Sequence, residues 1–386
     1  MDAVSASVSQ AVARLEGVGS RVQRPMPAGR IDPLLPLGGV PVLPMPAHVR
    51  EAAAAALDEP DDRDPQGLNE LRSAVSGYLL AQHRLSVDPA KELLVTHGAM
   101  HGLAVALAAM VGPGDDVLIP APTFFFEGAV RLAGAAPVYV RSTEERGWRW
   151  DLEAIEAAVT SQTRVILICN PSNPTGCLPR PDELLGIVEL ARRHGLTVVS
   201  DESYERYAFD GLSYTPIARY LDEWPRLVTV TSLSKNYAFS LWRLGYVHAP
   251  KDLLEPVRRV FEWNAINCGI VPQKAAAAAI TGPQEWVTDE IKTYQAKRDL
   301  LMAAVAETGV LTAVRPEAGV FALIDCSALG DSPDAIDQSL LRQGVPSVPG
   351  SYFRAPGSHV RLVFGAPEPV LEQLGTALSR AAADAR

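Results

Sequence analysis

TRVILICNPSNPTGCLPRPDELLGIVELARRHGLTVVSDESY, residues 163–204, is the stretch from which the fold is read. It opens on a continuous apolar strand over 163–170, crosses a polar loop, and predicts a helix over 181–194. A second apolar strand over 196–202 then runs into acidic residues. Strands with no polar alternation are buried on both faces, and such strands alternating with helices form a parallel sheet.

The same pattern extends outward from this stretch. Upstream, ELLVTHG (92–98) predicts a strand, AMHGLAVALAAMV (99–111) a buried helix and DDVLIP (115–120) a strand. A helix near 126–134 and the strand APVYV (136–140) follow. Downstream, RLVTVTSLS (226–234) completes the set. Near the start, 48–57 and 67–82 predict helices, and the prolines and glycines of 31–49 exclude a long one. After about residue 285 a long helix (286–309) gives way to shorter strands, GVFALIDC (319–326) and HVRLVFG (359–365). The expectation is an α/β protein with a mostly parallel sheet flanked by helices. Residues 47–285 form its large domain, and residues 1–46 with 286–386 form an N-terminal arm plus a smaller α/β domain.

At 386 residues the chain is too long for one comfortable core, which agrees with two lobes. Asp and Glu outnumber Lys and Arg, 45 to 35, so a nucleic-acid partner is not expected. No apolar run reaches the roughly 18 residues that span a bilayer, and no membrane is expected. The start lacks a basic segment followed by an apolar one, and the four cysteines show no CxxC pairing. Both features suggest reduced thiols in a cytoplasmic protein.

Four segments carry the chemistry: NPSNPTG (170–176), DESY (201–204), SLSK with Arg243 (232–243), and Arg361 in HVRLVFG. Together they meet the demands of a pyridoxal phosphate site. Lys235, just beyond a strand, can reach an aldehyde. Asp201, at a strand end, can keep a pyridine nitrogen protonated. Tyr204 and Asn173 can donate to a phenolate oxygen. Serines and Arg243 can hold a phosphate, and Arg361 can clamp a carboxylate by a two-pronged bond.

In these motifs the chain resembles the class I/II aminotransferases, the fold type I pyridoxal phosphate enzymes, from about Leu34 onward. The resemblance implies that Lys235 holds the cofactor as a Schiff base and then serves as general base. It implies that Asp201 meets the pyridine nitrogen, and that Asn173 and Tyr204 meet the phenolate oxygen. Ser232, Ser234 and Arg243 would hold the phosphate, with the backbone N–H groups of Ala99 and Met100 in THGAMHG aimed at it. Phe124 in APTFFFE would lie flat on the ring. Gly39, Asn173 and Arg361 would meet the substrate, an α-amino acid or a 2-oxo acid. A homodimer is implied as well.

The implied reaction is amino transfer. Decarboxylation, β/γ-elimination and cyclisation use the same site and remain alternatives. A non-catalytic binding protein on this fold would not need Lys235, Asp201, Arg243 and Arg361 together. His97 and His101 have helical metal-ligand spacing but no acidic or cysteine partner nearby, so no metal is expected. The chain departs from the family at Asp62, within DEPDDRD (58–64), where the family usually has a tyrosine that serves the neighbouring subunit's phosphate. The acidic run is expected to form a negative rim that favours a basic substrate side chain.

Overall fold

A computed structural model describes residues 10–13, 15, 32–38, 43–59 and 64–385. Its centre is a seven-stranded sheet of β1 (Leu93–Thr96), β2 (Asp116–Ala121), β3 (Ala136–Arg141), β4 (Thr163–Cys169), β5 (Thr197–Asp201), β6 (Leu227–Ser232) and β7 (Gly245–His248). The spatial order is β1-β7-β6-β5-β4-β2-β3. All neighbours among β2 to β6 run parallel, and β7 runs antiparallel to both β1 and β6.

The continuous apolar runs follow from burial on both sides. Val165 and Leu167 pack into one core with Leu103, Val117 and Val228, while Ile166 and Ile168 pack into another with Leu184, Ile187 and Val198. The helix Ala99–Met110 covers the first face and the helix Pro181–His194 the second. The four cysteines are buried and unpaired.

A second sheet has the order β10-β11-β9-β8, all antiparallel, from β8 (Thr312–Ala313), β9 (Phe321–Asp325), β10 (Val348–Pro349) and β11 (His359–Val363). Its core is shared with the long helix Glu285–Glu307 and the C-terminal helix Glu368–Asp384. Arg149 and Arg180 of the first half both pair with Glu317 of the second, at 2.9 and 2.7 Å.

The expected strands all form, but the sequence reading did not anticipate β7. Its four residues, GYVH, are too few to stand out although Tyr246 and Val247 suit a strand. The strand is nevertheless central to the site. Gly245 stands opposite Thr96 on one side and Ser232 on the other, so β7 draws THGAMHG and SLSK together. A side chain at Gly245 would meet the Thr231 carbonyl at 2.4 Å and the Ala99 nitrogen at 2.9 Å. The helices Lys251–Ala265, Ile270–Thr281 and Pro333–Arg342 were also not anticipated.

Two glycines give opposite expectations. Gly245→Ala should lower stability by about 1–3 kcal/mol through overpacking. Gly77→Ala, on an exposed helix face with nothing within 4 Å, should raise it by roughly 0.4–1 kcal/mol. Thermal or urea unfolding of the two variants beside the parent chain checks both signs.

Candidate active site

The carboxyl ends of β4, β5 and β6 stand side by side, because Cys169 registers with Asp201 and Asp201 with Val230. A cavity of about 350 Å³ opens there. Its lining brings together Ala99, Met100, Phe124, Asn173, Asp201, Tyr204, Ser232, Ser234, Lys235, Arg243 and Arg361. These are all of the expected site residues except Gly39, which lies outside the described residues. Its neighbour Gly38 presses its carbonyl against Gly365, four positions past Arg361.

Lys235 sits in the short helix Leu233–Asn236, which Ser232 caps by accepting from the Ser234 N–H at 3.2 Å. The last carbonyls of so short a helix need donors from elsewhere. Tyr207 Oη donates to the Lys235 carbonyl at 2.8 Å and Arg206 to the Asn236 carbonyl at 3.1 Å. The lysine amine lies 5.9 Å from the centre of the Tyr204 ring. Burial, helped by the positive charges of Arg361 and Arg243 and opposed by Asp201, pulls its pKa down to about 8.

Asp201 is buried, and its Oδ1 accepts from Ser203 N–H at 3.1 Å and Ser203 Oγ at 2.5 Å. Burial pushes this carboxyl up, while the Ser203 bonds and the nearby Lys235 pull it back. Such a carboxylate gains from a cationic partner across the cavity. Burial likewise holds Tyr204 as a protonated phenol, well above its ordinary range.

Asn173, 1% exposed, joins the two halves of the site. Its Nδ2 donates to Tyr204 Oη at 3.4 Å and its Oδ1 accepts from Arg361 at 3.1 Å. The Tyr204 proton is thereby left to point into the cavity. Arg361 also lies over the Phe353 ring, 4.7 Å from its centre, with Phe321 beyond at 5.9 Å. Aromatic faces of this kind hold a guanidinium in place while leaving its N–H edge for a carboxylate.

The opposite end of the cavity is built for an anion. Gly98 caps the helix Ala99–Met110, whose first N–H groups face outward from the helix start. The Arg243 guanidinium packs so closely that a Cβ on Gly98 would lie 2.9 Å from it. Arg243 also donates to Ser234 Oγ at 3.2 Å and to the Ser240 carbonyl at 3.0 Å. A cation beside a helix N-terminus is unfavourable unless an anion sits between them, so this donor set fits a phosphate. Phe124, half-buried at the cavity wall, offers a ring to stack. Lysine, carboxylate, phenol, amide and anion cradle thus fit pyridoxal phosphate in every part.

Several functional side chains were not anticipated from sequence. Ser203 fills an unspecified place in the DxxY pattern, and Phe321 and Phe353 come from remote segments with no motif of their own. The acidic run differs from expectation: Glu59 pairs with Lys274 and Asp64 with Arg72, at 2.8 and 2.5 Å. Asp61 and Asp62 lie outside the described residues. His97 and His101 stack on one another at 5.3 Å, and His101 bonds Asn264 at 2.9 Å.

The family model for aminotransferase class I and II matches residues 41–378 of the chain. An aspartate aminotransferase of Pyrococcus abyssi is 34% identical over 343 residues, covering 87% of this chain and 88% of that protein. An aspartate/prephenate aminotransferase of Thermus thermophilus is 32% identical, covering 91% of this chain and 90% of that one. The crystal structure of an aromatic aminotransferase from Pyrococcus horikoshii superposes with a TM-score of 0.87 at 31% identity, covering 97% of this chain and 99% of that one.

The lysine's titration tests the site's electrostatics without any bound ligand. Only the neutral amine reacts with acylating reagents, so Lys235 labelling should rise with pH through about 8. Arg361→Gln removes a neighbouring positive charge and should move that midpoint upward. Competitive labelling followed by peptide mass spectrometry reads both.

Proposed function

The chain belongs to the class I and II aminotransferases and is a pyridoxal-phosphate-dependent aminotransferase, and from that membership we propose how its own residues carry the reaction. Lys235 is the covalent anchor for the cofactor. When bound, pyridoxal phosphate supplies an electron sink that lets the substrate's α-carbon lose a proton. Asp201 holds the pyridine nitrogen protonated, Asn173 and Tyr204 donate to the phenolate oxygen, and Phe124 lies against the ring. Ser232, Ser234, Arg243 and the N–H groups of Ala99 and Met100 hold the phosphate.

Arg361 takes the α-carboxylate of an α-amino acid or a 2-oxo acid, with Gly39 on the same side. The Lys235 amine, at the cavity beside Tyr204, would serve as the general base that accepts the substrate's α-proton and holds it for return. The supporting observation is the convergence of Lys235, Asp201, Tyr204 and Arg361 on one cavity beside the Gly98–Arg243 cradle. Residues 47–285 would act as the cofactor-binding domain, and 1–46 with 286–386 as the part that carries the carboxylate clamp. The four unpaired, buried thiols support a cytoplasmic setting.

A homodimer completes this reading. Leu241, between Lys235 and Arg243 in sequence, is 93% exposed, as is Trp263. Ile266, one turn beyond Trp263, is also exposed. Trp263 and Asn264 end a helix that packs on Ala99–Met110, the helix of the anion cradle. Exposed apolar side chains of this size suit a subunit interface. Sedimentation should show a dimer, and a fully active monomer would refute it.

Borohydride reduction of the purified protein should tag Lys235 in peptide maps, and Lys235→Ala should lose the tag. A different tagged lysine would overturn the assignment. Arg361→Lys loses a bidentate pair whose bonds are worth about 1.5–3 kcal/mol each. It should raise the amino donor's apparent dissociation constant at least tenfold in single half-reactions while cofactor occupancy stays unchanged.

A further inference from the structure

Behind the site, on the side of the 201–207 segment away from the cavity, lies a buried cluster for which the proposed reaction has no use. Glu205, 6% exposed, accepts three hydrogen bonds through its carboxylate. Tyr78 Oη donates at 3.1 Å, His83 Nε2 lies at 2.9 Å, and Asn236 Nδ2 donates at 2.8 Å. Tyr78 and His83 come from the helix Asn69–His83, whereas Asn236 is the residue after Lys235 and ends the lysine's helix. Burying a carboxylate costs several kcal/mol unless donors surround it, and donors from separate elements satisfy it in one relative placement only.

The chain segment makes the connection specific. Asp201 and Tyr204 line the cavity, and the next three residues grip the lysine's helix from behind: Glu205 through the Asn236 side chain, Arg206 through its carbonyl, and Tyr207 through the Lys235 carbonyl. One stretch of seven residues therefore sets both the acidic wall of the site and the depth at which the lysine stands. Arg206 and Tyr207 lean on the helix Glu285–Glu307, through Thr288 and Tyr294, whereas the grip of Glu205 is tied by side-chain hydrogen bonds to the helix Asn69–His83.

We propose that Glu205 is a positioning residue for Lys235, holding the lysine's helix through Asn236 from a buried cluster that Tyr78 and His83 complete. The inference rests on the reading of Lys235 as the cofactor's anchor. Burial works against protonation of His83, but the bond to Glu205 and the negative charges of Glu205 and Glu202 together move its pKa up.

The lysine's own titration separates positioning from direct electrostatics. Its shift arises from burial and from Arg361, Arg243 and Asp201. A change at Glu205 therefore reaches the amine through geometry. In Glu205→Gln and Asn236→Ala, competitive labelling without added cofactor should show the Lys235 midpoint moved up toward the ordinary lysine value. In the loaded enzyme kcat should fall about tenfold, less than the roughly hundredfold that a 1 Å misplacement can cost. KM for the amino donor should stay within about twofold, since Arg361 is untouched.

A wild-type Lys235 midpoint together with unchanged kcat in the folded variants would overturn the proposal. Should Glu205→Gln fail to fold, Asn236→Ala decides alone, because it leaves the Tyr78–His83–Glu205 cluster whole. Peptide mapping of the borohydride-reduced parent is run alongside. A tag on another lysine would defeat the anchor reading itself, whereas a tag on Lys235 with unmoved variants would defeat only the role of Glu205.

Discussion

The hydrogen-bond register between β4, β5 and β6 is the constraint on which the rest depends. Parallel strands joined by crossovers all end on the same edge, and the two pairings that place Asp201 level with Cys169 and Val230 bring three loops to one line. Asn173, Tyr204 and Lys235 are then neighbours although 31 residues separate each from the next in sequence. A slip of one residue along β5 would turn Asp201, the one carboxylate among the described lining residues, to the opposite face of the sheet.

The antiparallel strand β7 adds the second half of that arrangement. It lies between β1 and β6 and carries a glycine where the backbones of Thr231 and Ala99 leave no space. The helix start at Gly98 and the lysine's helix can therefore approach closely, and Arg243, entering from the turn before β7, fills the corner between them. Three cations and one carboxylate share this volume. Burial first, and then the repulsion from Arg361 and Arg243, keeps the pKa of Lys235 depressed, and an anion bound among the three would ease that repulsion.

Strongly patterned parts of this architecture were readable without coordinates. Continuous apolar runs such as 163–170 reveal themselves by composition, and residues such as Asn173, Asp201 and Lys235 stand at the ends of those runs. What sequence did not disclose depends on distance. GYVH is too short to stand out as a strand although Tyr246 and Val247 suit one, and it pairs with β1 and β6 on either side. Phe353 supports Arg361 from a 3-10 turn with no pattern of its own. His83 follows directly on the helix expected over 67–82 and belongs to no motif, and only the fold shows that it meets a carboxylate 122 positions later. Within the acidic run 58–64, the pairing of Glu59 with Lys274 was equally hidden, since that lysine lies more than two hundred residues downstream.

The bond between Asn173 and Arg361 spans 188 positions. A ribosome adding about 5–20 residues per second needs roughly ten to forty seconds to pass from one to the other. All seven strands of the large sheet precede Arg361 in the chain, as do the lysine and the anion cradle. During synthesis the residues proposed to hold a phosphorylated ring therefore exist in sequence before the proposed carboxylate clamp. On that reading the nascent chain could be held together at its cofactor end while still unable to grip an amino acid, and its competence would arrive with β11, among the last elements to be made.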